Sequence, residues 1–398
     1  MYSFAFALLF LHVPQAVFGL PASSLPSNDL LFPELAARED TPVCIEPRMR
    51  KEWRTLSDPE KSSYISAIQC LWDLPSKGTD RIPQLRSRHD DFVYSHLEAT
   101  RFGSGGIHGV GVFLPWHRHF IWVYENALIN ECNYTGAQPY WDYSLETRAA
   151  GGSWMTSPLF DAETGFGGDG VRALGGCIQD GPFKDRKITL GPGDKVDGKE
   201  RCIDRTFSPT IVEGAADWDS SMMPLWGIEK FEEFQGAVEG VRILPGGVMK
   251  PGIHSVGHGG VGGEMQNVFS SPNDPLFFMH HAALDRVWAL WQSLNPATRV
   301  MAIGGPTGMA FGAGGMASSG KTTLNTTVNL GFVADEMPIH KLMDTTGAQG
   351  EGILCYWYEK SPLGEEDMMR MRGVENLAKM KPQGTVVPWA QASVAPFA

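Results

Sequence analysis

Beyond its first twenty positions the sequence has no long uncharged apolar run, and nowhere does it carry a sustained run of Lys or Arg or a C-x-x-C pair. The first absence excludes an internal membrane-spanning helix, which needs about 20 consecutive apolar residues. The second removes the usual electrostatic grip on phosphate backbones and anionic lipid. With 33 basic against 45 acidic residues the formal charge is -12, so neither nucleic acid nor membrane is expected as a partner. The third argues against zinc ribbons. The six cysteines, Cys44, Cys70, Cys132, Cys177, Cys202 and Cys355, are even in number and scattered. That suits disulfides formed in an oxidising compartment, with the pairing left open.

What is present is ample apolar material: 42% hydrophobic residues over 398 positions, with 12 Trp and 21 Phe. Such a chain is too apolar for disorder and can bury a large core. Its length requires no more than one catalytic domain plus tails. Residues 1–20 read as a signal peptide, with the apolar stretch Phe4 to Leu11 and small residues near Ala16 and Gly19, although the basic start is missing. The alternative, a buried N-terminal helix, is opposed by the turn-rich residues that follow from Leu20. A linker is expected over 21–43, a catalytic domain over 44–360 and a polar, Met-rich tail over 361–398. Sequons at Asn133 and Asn325 are compatible with the secretory route.

Periodicity predicts helices over 58–74, 85–99, 117–130, 229–239 and 275–293. Ser57 and Glu60 form a capping box at the first, and Asp274 with Pro275 marks the start of the last. Strand-like alternation is sparse. Gly-rich stretches at 150–206 and 301–323 read as surface excursions around a helical core. The run Gly315 to Thr322 fits the phosphate-loop pattern, but no strand precedes it and no helix follows, so the nucleotide reading is set aside.

Nine of the eleven histidines fall into four groups: His89 and His96; His108, His117 and His119; His254 and His258; His280 and His281. One lone histidine is more often a core or surface residue than a ligand. Grouping changes that, because His254-x3-His258 presents two imidazoles on one helical face. Adjacent histidines on a helix point about 100° apart, which allows a choice within each pair. His117 shares a stripe with Ile121, Tyr124 and Leu128, and His280 with Leu276, Leu284, Val287 and Trp291, so both are expected inward. His281 stands one turn before Asp285, an ordinary partner for its ring. His89 and His96 share a face, and periodicity does not separate them. About six inward histidines result, in two sets of three, without a carboxylate or thiolate. Two open three-histidine sites suit copper and dioxygen. A di-iron centre would show Glu-x-x-His, and a zinc hydrolase would leave one set unexplained.

Several segments then carry a resemblance. Asp91-Phe92 with His96, Ile107-His108, Phe113 through Phe120, Tyr124-Glu125 and Pro139 through Asp142 resemble the first copper-binding region of tyrosinases and catechol oxidases. Asn273 through Trp288, with His254 and His258 upstream, resembles the second. The likeness spans about residues 46 to 295. It implies a mainly α fold whose four-helix core carries two coppers, with long loops and few short strands. It implies His96, His108 and His117 as ligands of one copper, and His254, His258 and His280 as ligands of the other. Tyr356-Trp357-Tyr358 resembles the tyrosine motif that closes the catalytic domain. Only about forty residues follow, so no C-terminal shielding domain is expected, and the likeness is to short secreted fungal members.

The activity implied is oxidation of o-diphenols, and of o-aminophenols, to o-quinones with reduction of dioxygen to water. A monomer or weak homodimer is expected. Hydroxylation of monophenols, the alternative, requires removing a phenolic proton of pKa about 10. In the family a glutamate and an asparagine hold a water for this. Glu239 is the candidate glutamate, and Ser255 stands where the asparagine would be, which favours diphenol oxidation. A solvated carboxylate at a helix end is the plain alternative for Glu239. Gly106 precedes His108 by two, so the C-x-H form of a cysteine–histidine thioether is absent. Asn267 and Val268 fall where relatives place a residue controlling substrate entry. A haemocyanin-like oxygen carrier would share the copper pair, but a small secreted domain without a covering module argues against it.

Overall fold

The computed structural model describes residues 44–101, 106–216, 221–243, 249–312, 315–318, 320–347, 352–360, 362 and 385–387. The signal peptide, the linker and most of the expected tail lie outside these. Nine helices are described: α1 (Asp58–Asp73), α2 (Arg88–Thr100), α3 (Phe113–Cys132), α4 (Pro209–Ala215), α5 (Met223–Trp226), α6 (Phe231–Glu239), α7 (Ile253–Val261), α8 (Leu276–Ser293) and α9 (Pro296–Arg299). Strands are of two to four residues, so the fold is mainly α, as expected.

Local chemistry explains where the main helices begin. Glu60 reaches back to the Ser57 amide at 2.7 Å and closes the capping box of α1. Ser87 and Asp90 do the same for α2. At α8 the carboxylate of Asp274 accepts from the Leu276 amide at 3.1 Å, while Arg205 grips both its oxygens at 2.7 and 3.0 Å. The N-terminus of α8 is therefore capped and clamped by one buried carboxylate.

The core is formed where α1 packs on α2 and α3, α3 on α8, and α8 on α7. Helix α8 is buried on every side from Leu276 to Gln292, which identifies it as the central element. Around α3 and α8 runs an ionic network. Asp285 accepts from Arg118 at 2.5 Å, Tyr356 at 2.5 Å and Tyr358 at 2.7 Å, and Arg50 reaches both Asp285 and Glu125. Burial alone would raise the Asp285 carboxyl, but Arg118 and Arg50 hold it below its ordinary value.

The Gly-rich excursions are ordered by small devices. Residues 150–206 contain short 3-10 turns and two-residue ladders, stapled by the Cys177–Cys202 disulfide. Contrary to expectation a strand, Met309–Gly312, does precede the phosphate-loop look-alike, but Gly315–Ser318 pairs antiparallel with it, so the first half of the motif is itself a hairpin strand and not a phosphate-cradling turn. Two further disulfides, Cys44–Cys355 and Cys70–Cys132, use the remaining cysteines. Arg48–Arg50 pairs in parallel with Tyr356–Tyr358. Within the expected tail, Thr385–Val387 adds a third strand to the hairpin of Val241–Ile243 and Met249–Pro251. Both sequon asparagines are exposed. Among the described residues no helix is long and apolar enough to cross a membrane.

Candidate metal centre

Helices α2 and α3 and the segment between them bring His96, His108 and His117 together, one nitrogen of each lying within 4.8 Å of the others. Helices α7 and α8 bring together His254, His258, His280 and His281 within the same limit. The two groups touch: the His117 and His281 rings stack at 4.3 Å and 13°, and His108 faces His254 at 5.8 Å and 19°.

Backbone carbonyls fix the tautomers. His96 Nδ1 lies 2.8 Å from the Phe269 carbonyl, His117 Nδ1 2.8 Å from that of Phe113, and His258 Nδ1 2.6 Å from that of Met265. A carbonyl only accepts, so each Nδ1 carries the proton and each Nε2 presents a lone pair. The Nε2 atoms of His96 and His117 are buried and have no hydrogen-bond partner among the described residues. An unsatisfied buried polar atom costs about 1–3 kcal/mol, a cost that a metal ion would remove. Burial pushes His96 down to about 3 and His258 to about 4, and pushes His108, His117 and His254 well below their ordinary value. Neutral imidazole, the metal-binding form, is thus favoured without the metal. An all-imidazole donor set in an aromatic shell fits copper.

Other histidines do different work. His89 stacks on Trp72 at 3.9 Å and belongs to neither group, and His119 is buried outside both. The sequence-based choice on α8 meets a different geometry. His281 does not turn to Asp285, whose carboxylate is taken by arginines and tyrosines. Its Nε2 lies 3.2 Å from His258 Nε2, and its ring stacks on Phe277 at 4.1 Å. The His280 ring faces the main chain of His254 and sits 5.7 Å from the Tyr143 ring. It fills the space over Gly257, where a Cβ would lie 2.1 Å from its Nδ1. A stripe argument presumes an outward face, and α8 has none, so periodicity could not separate its two histidines.

Glu239 ends α6 and is buried, 3% exposed, which excludes the solvated-carboxylate reading. Its Oε1 accepts from the Gly109 amide, next to His108, at 2.6 Å, and burial raises its pKa to about 8. Between Glu239 and His254 in sequence, Val241–Ile243 pairs antiparallel with Met249–Pro251, which returns the chain to Glu239 in space. The Gly252 amide donates to the Gly240 carbonyl at 2.6 Å, an approach open only to glycine, since a Cβ there would lie 2.5 Å from the Val238 carbonyl. Ser255 Oγ is buried and has no partner among the described residues. Because all six cysteines are in disulfides, none remains for a bond to His108. Val268 is partly exposed, and Asn267 turns its side-chain oxygen into its own loop.

Residues 86–294 match the family model for the common central domain of tyrosinase. The chain is 34% identical over 353 residues to Tyrosinase P of Aspergillus terreus, covering 80% of this chain and 93% of that one. It is 31% identical over 356 residues to the N-acetyl-6-hydroxytryptophan oxidase ivoB of Emericella nidulans, covering 78% and 92%. A mutant polyphenol oxidase from Thermothelomyces thermophila superposes with a TM-score of 0.64 at 29% identity, covering 79% of this chain and 89% of that one.

Proposed function

The chain belongs to the tyrosinase family, and from that premise we propose that it is a secreted two-copper oxidase of o-diphenols and o-aminophenols, with residues 44–360 as its catalytic domain. The observation that carries this reading is the meeting of two buried histidine groups, with bare Nε2 atoms on the carbonyl-locked His96 and His117 in one and the Nε2 atoms of His258 and His281 converging in the other. His96, His108 and His117 would hold one copper. His254, His258 and His281 would hold the other, the His258–His281 convergence favouring His281 over the expected His280. Bound copper supplies one-electron redox chemistry and a seat for dioxygen, and a pair of ions lets dioxygen accept electrons two at a time.

The protein's part is positional. The carbonyls of Phe269, Phe113 and Met265 orient three rings, and the aromatic shell of Phe113, Phe277 and Trp116 excludes water. Two diphenols each lose two electrons and two protons, and one dioxygen leaves as two waters. Three disulfides and two exposed sequons support the secretory route. Kinship with a hydroxytryptophan oxidase supports a fused hydroxylated aromatic as a further substrate class.

A second reading, monophenol hydroxylation, rests on Glu239, buried beside the His108 segment. That carboxylate could hold a water and take a phenolic proton, but the Ser255 hydroxyl has no hydrogen-bond partner among the described residues that would help orient it. The test is oxygen uptake by the copper-loaded protein with catechol, o-aminophenol and tyrosine. Prompt uptake on catechol and o-aminophenol with a lag or none on tyrosine is expected. Prompt tyrosine turnover that disappears in Glu239→Gln would establish the second reading, and reversible oxygen binding without substrate turnover would mark an oxygen carrier.

A further inference from the structure

One short loop serves both histidine groups. The segment after α7 runs from Met265 to Ser270, and its two ends each engage a ring: the Met265 carbonyl takes His258 Nδ1 at 2.6 Å, and the Phe269 carbonyl takes His96 Nδ1 at 2.8 Å. These rings belong to different groups. Between the two carbonyls stands Asn267. Its side-chain oxygen accepts from the Phe269 amide at 3.1 Å and the Ser270 amide at 3.3 Å, while its carbonyl accepts from Ser271 at 3.0 Å. An Asx turn of this kind gives the backbone a fixed bend without help from a helix or sheet. The bend is also braced from outside. Buried Glu264 accepts from Ser270 Oγ at 2.7 Å and Asn273 Nδ2 at 2.8 Å, and pairs with Arg201.

We propose that Asn267 is a positioning residue for both metal sites at once, setting through the Met265–Phe269 loop the tautomer and ring orientation of one histidine in each group. This rests on the two-copper reading above. Its side chain is spent on the turn and does not project as an entry gate. If the turn relaxes, the Phe269 carbonyl is no longer held against His96, and the loop anchoring Met265 beside His258 loosens with it. Each ring then gains access to its other tautomer and to rotation about χ2, and each site loses a pre-aimed Nε2. Loss of an orienting partner behind a metal-bound histidine typically weakens binding by about 10–100-fold. The distinguishing mark is that two sites weaken together from one side chain that touches neither.

The experiment compares the wild-type full chain with Asn267→Ala and Asn267→Asp, the latter retaining an acceptor at the same distance. Metal-free protein is titrated with copper(I) against a competing chelator under anaerobic conditions, and imidazole tautomers are read by long-range proton–nitrogen NMR of the same metal-free samples. Expected are two coppers per wild-type chain, both affinities about 10–100-fold weaker in Asn267→Ala, loss of the single Nδ1–H tautomer at His96 and His258, and recovery of both in Asn267→Asp. Unchanged affinities and tautomers in Asn267→Ala, or weakening of only one site, would overturn the inference. If Asn267→Ala does not fold, Asn267→Gln, which carries the amide one methylene too far, is expected to give the same double weakening, and a wild-type profile from it would overturn the inference equally. Failure of the wild-type chain to bind two coppers would instead overturn the two-copper reading.

Discussion

The same residue type meets opposite fates here because of what faces each ring nitrogen. His96 has a carbonyl behind Nδ1 and the nitrogens of His108 and His117 beside its own, whereas His89, two helical turns earlier, is packed flat on Trp72 and joins neither group. Sequence periodicity puts both on one face of α2 and cannot say which ring finds a carbonyl, since that carbonyl comes from residue 269. His89 makes a clean pH prediction. Burial lowers it from 6.5 to about 3, so in acid the unfolded chain takes up a proton that the folded one refuses. Stability should therefore fall as pH drops below about 6.5 and continue falling toward 3, by up to about 1.4 kcal/mol per pH unit from this one group. Urea titrations of the metal-free protein at pH 6, 5 and 4 check this, because His89→Phe should flatten the slope by about one proton. Equal slopes in the two proteins would count against the assignment.

At the scale of elements, two helix starts were legible: the Ser57–Glu60 capping box and the Asp274–Pro275 signal describe local chemistry, and the structure uses them. Helices α2 and α3, expected from 85 and 117, begin instead at Arg88 and Phe113. The clamp of Arg205 on Asp274 was not legible, because its partner lies 69 residues away. Nor was the role of Asp285, which the sequence offers as a partner for His281 and the fold gives to Arg118, Arg50, Tyr356 and Tyr358. Removing this carboxylate leaves the buried Arg118 guanidinium without its counter-charge and Arg50 with Glu125 alone, and breaking a buried pair from one side costs about 3–5 kcal/mol. Asp285→Ala should therefore lower the urea midpoint sharply in the metal-free protein as well as in the loaded one. A midpoint within a few tenths molar of wild type would show that the network contributes little to holding α3 on α8.

For the whole molecule, the helical core and its order were readable from periodicity together with the two long motifs. The arrangement of residues 150–206 was not, because loops ordered by two-residue ladders and a disulfide carry no period. Cysteine count announced disulfides but not their pairing, which includes the Cys44–Cys355 bridge across 311 positions. Closing so long a loop restricts the unfolded chain strongly, and losing a disulfide of this kind costs about 2–5 kcal/mol. The double substitution Cys44→Ser with Cys355→Ser should lower the melting temperature while leaving copper stoichiometry at its wild-type value. A shared loss of metal would mean that the bridge also shapes the centre.

That bridge, with the parallel pair of Arg48–Arg50 and Tyr356–Tyr358 beside it, brings the two ends of the folded domain to one place. Tension carried along the chain from one side of the bridge to the other passes from Cys44 to Cys355 through a covalent bond, and every histidine of the metal centre lies in the segment so enclosed. The strand Thr385–Val387, paired with Val241–Ile243, is a second entry for load from the C-terminal side, and it is held by hydrogen bonds alone. The bridge is thus a mechanical anchor for the centre, and sulfur–sulfur reduction would open the enclosed segment to force.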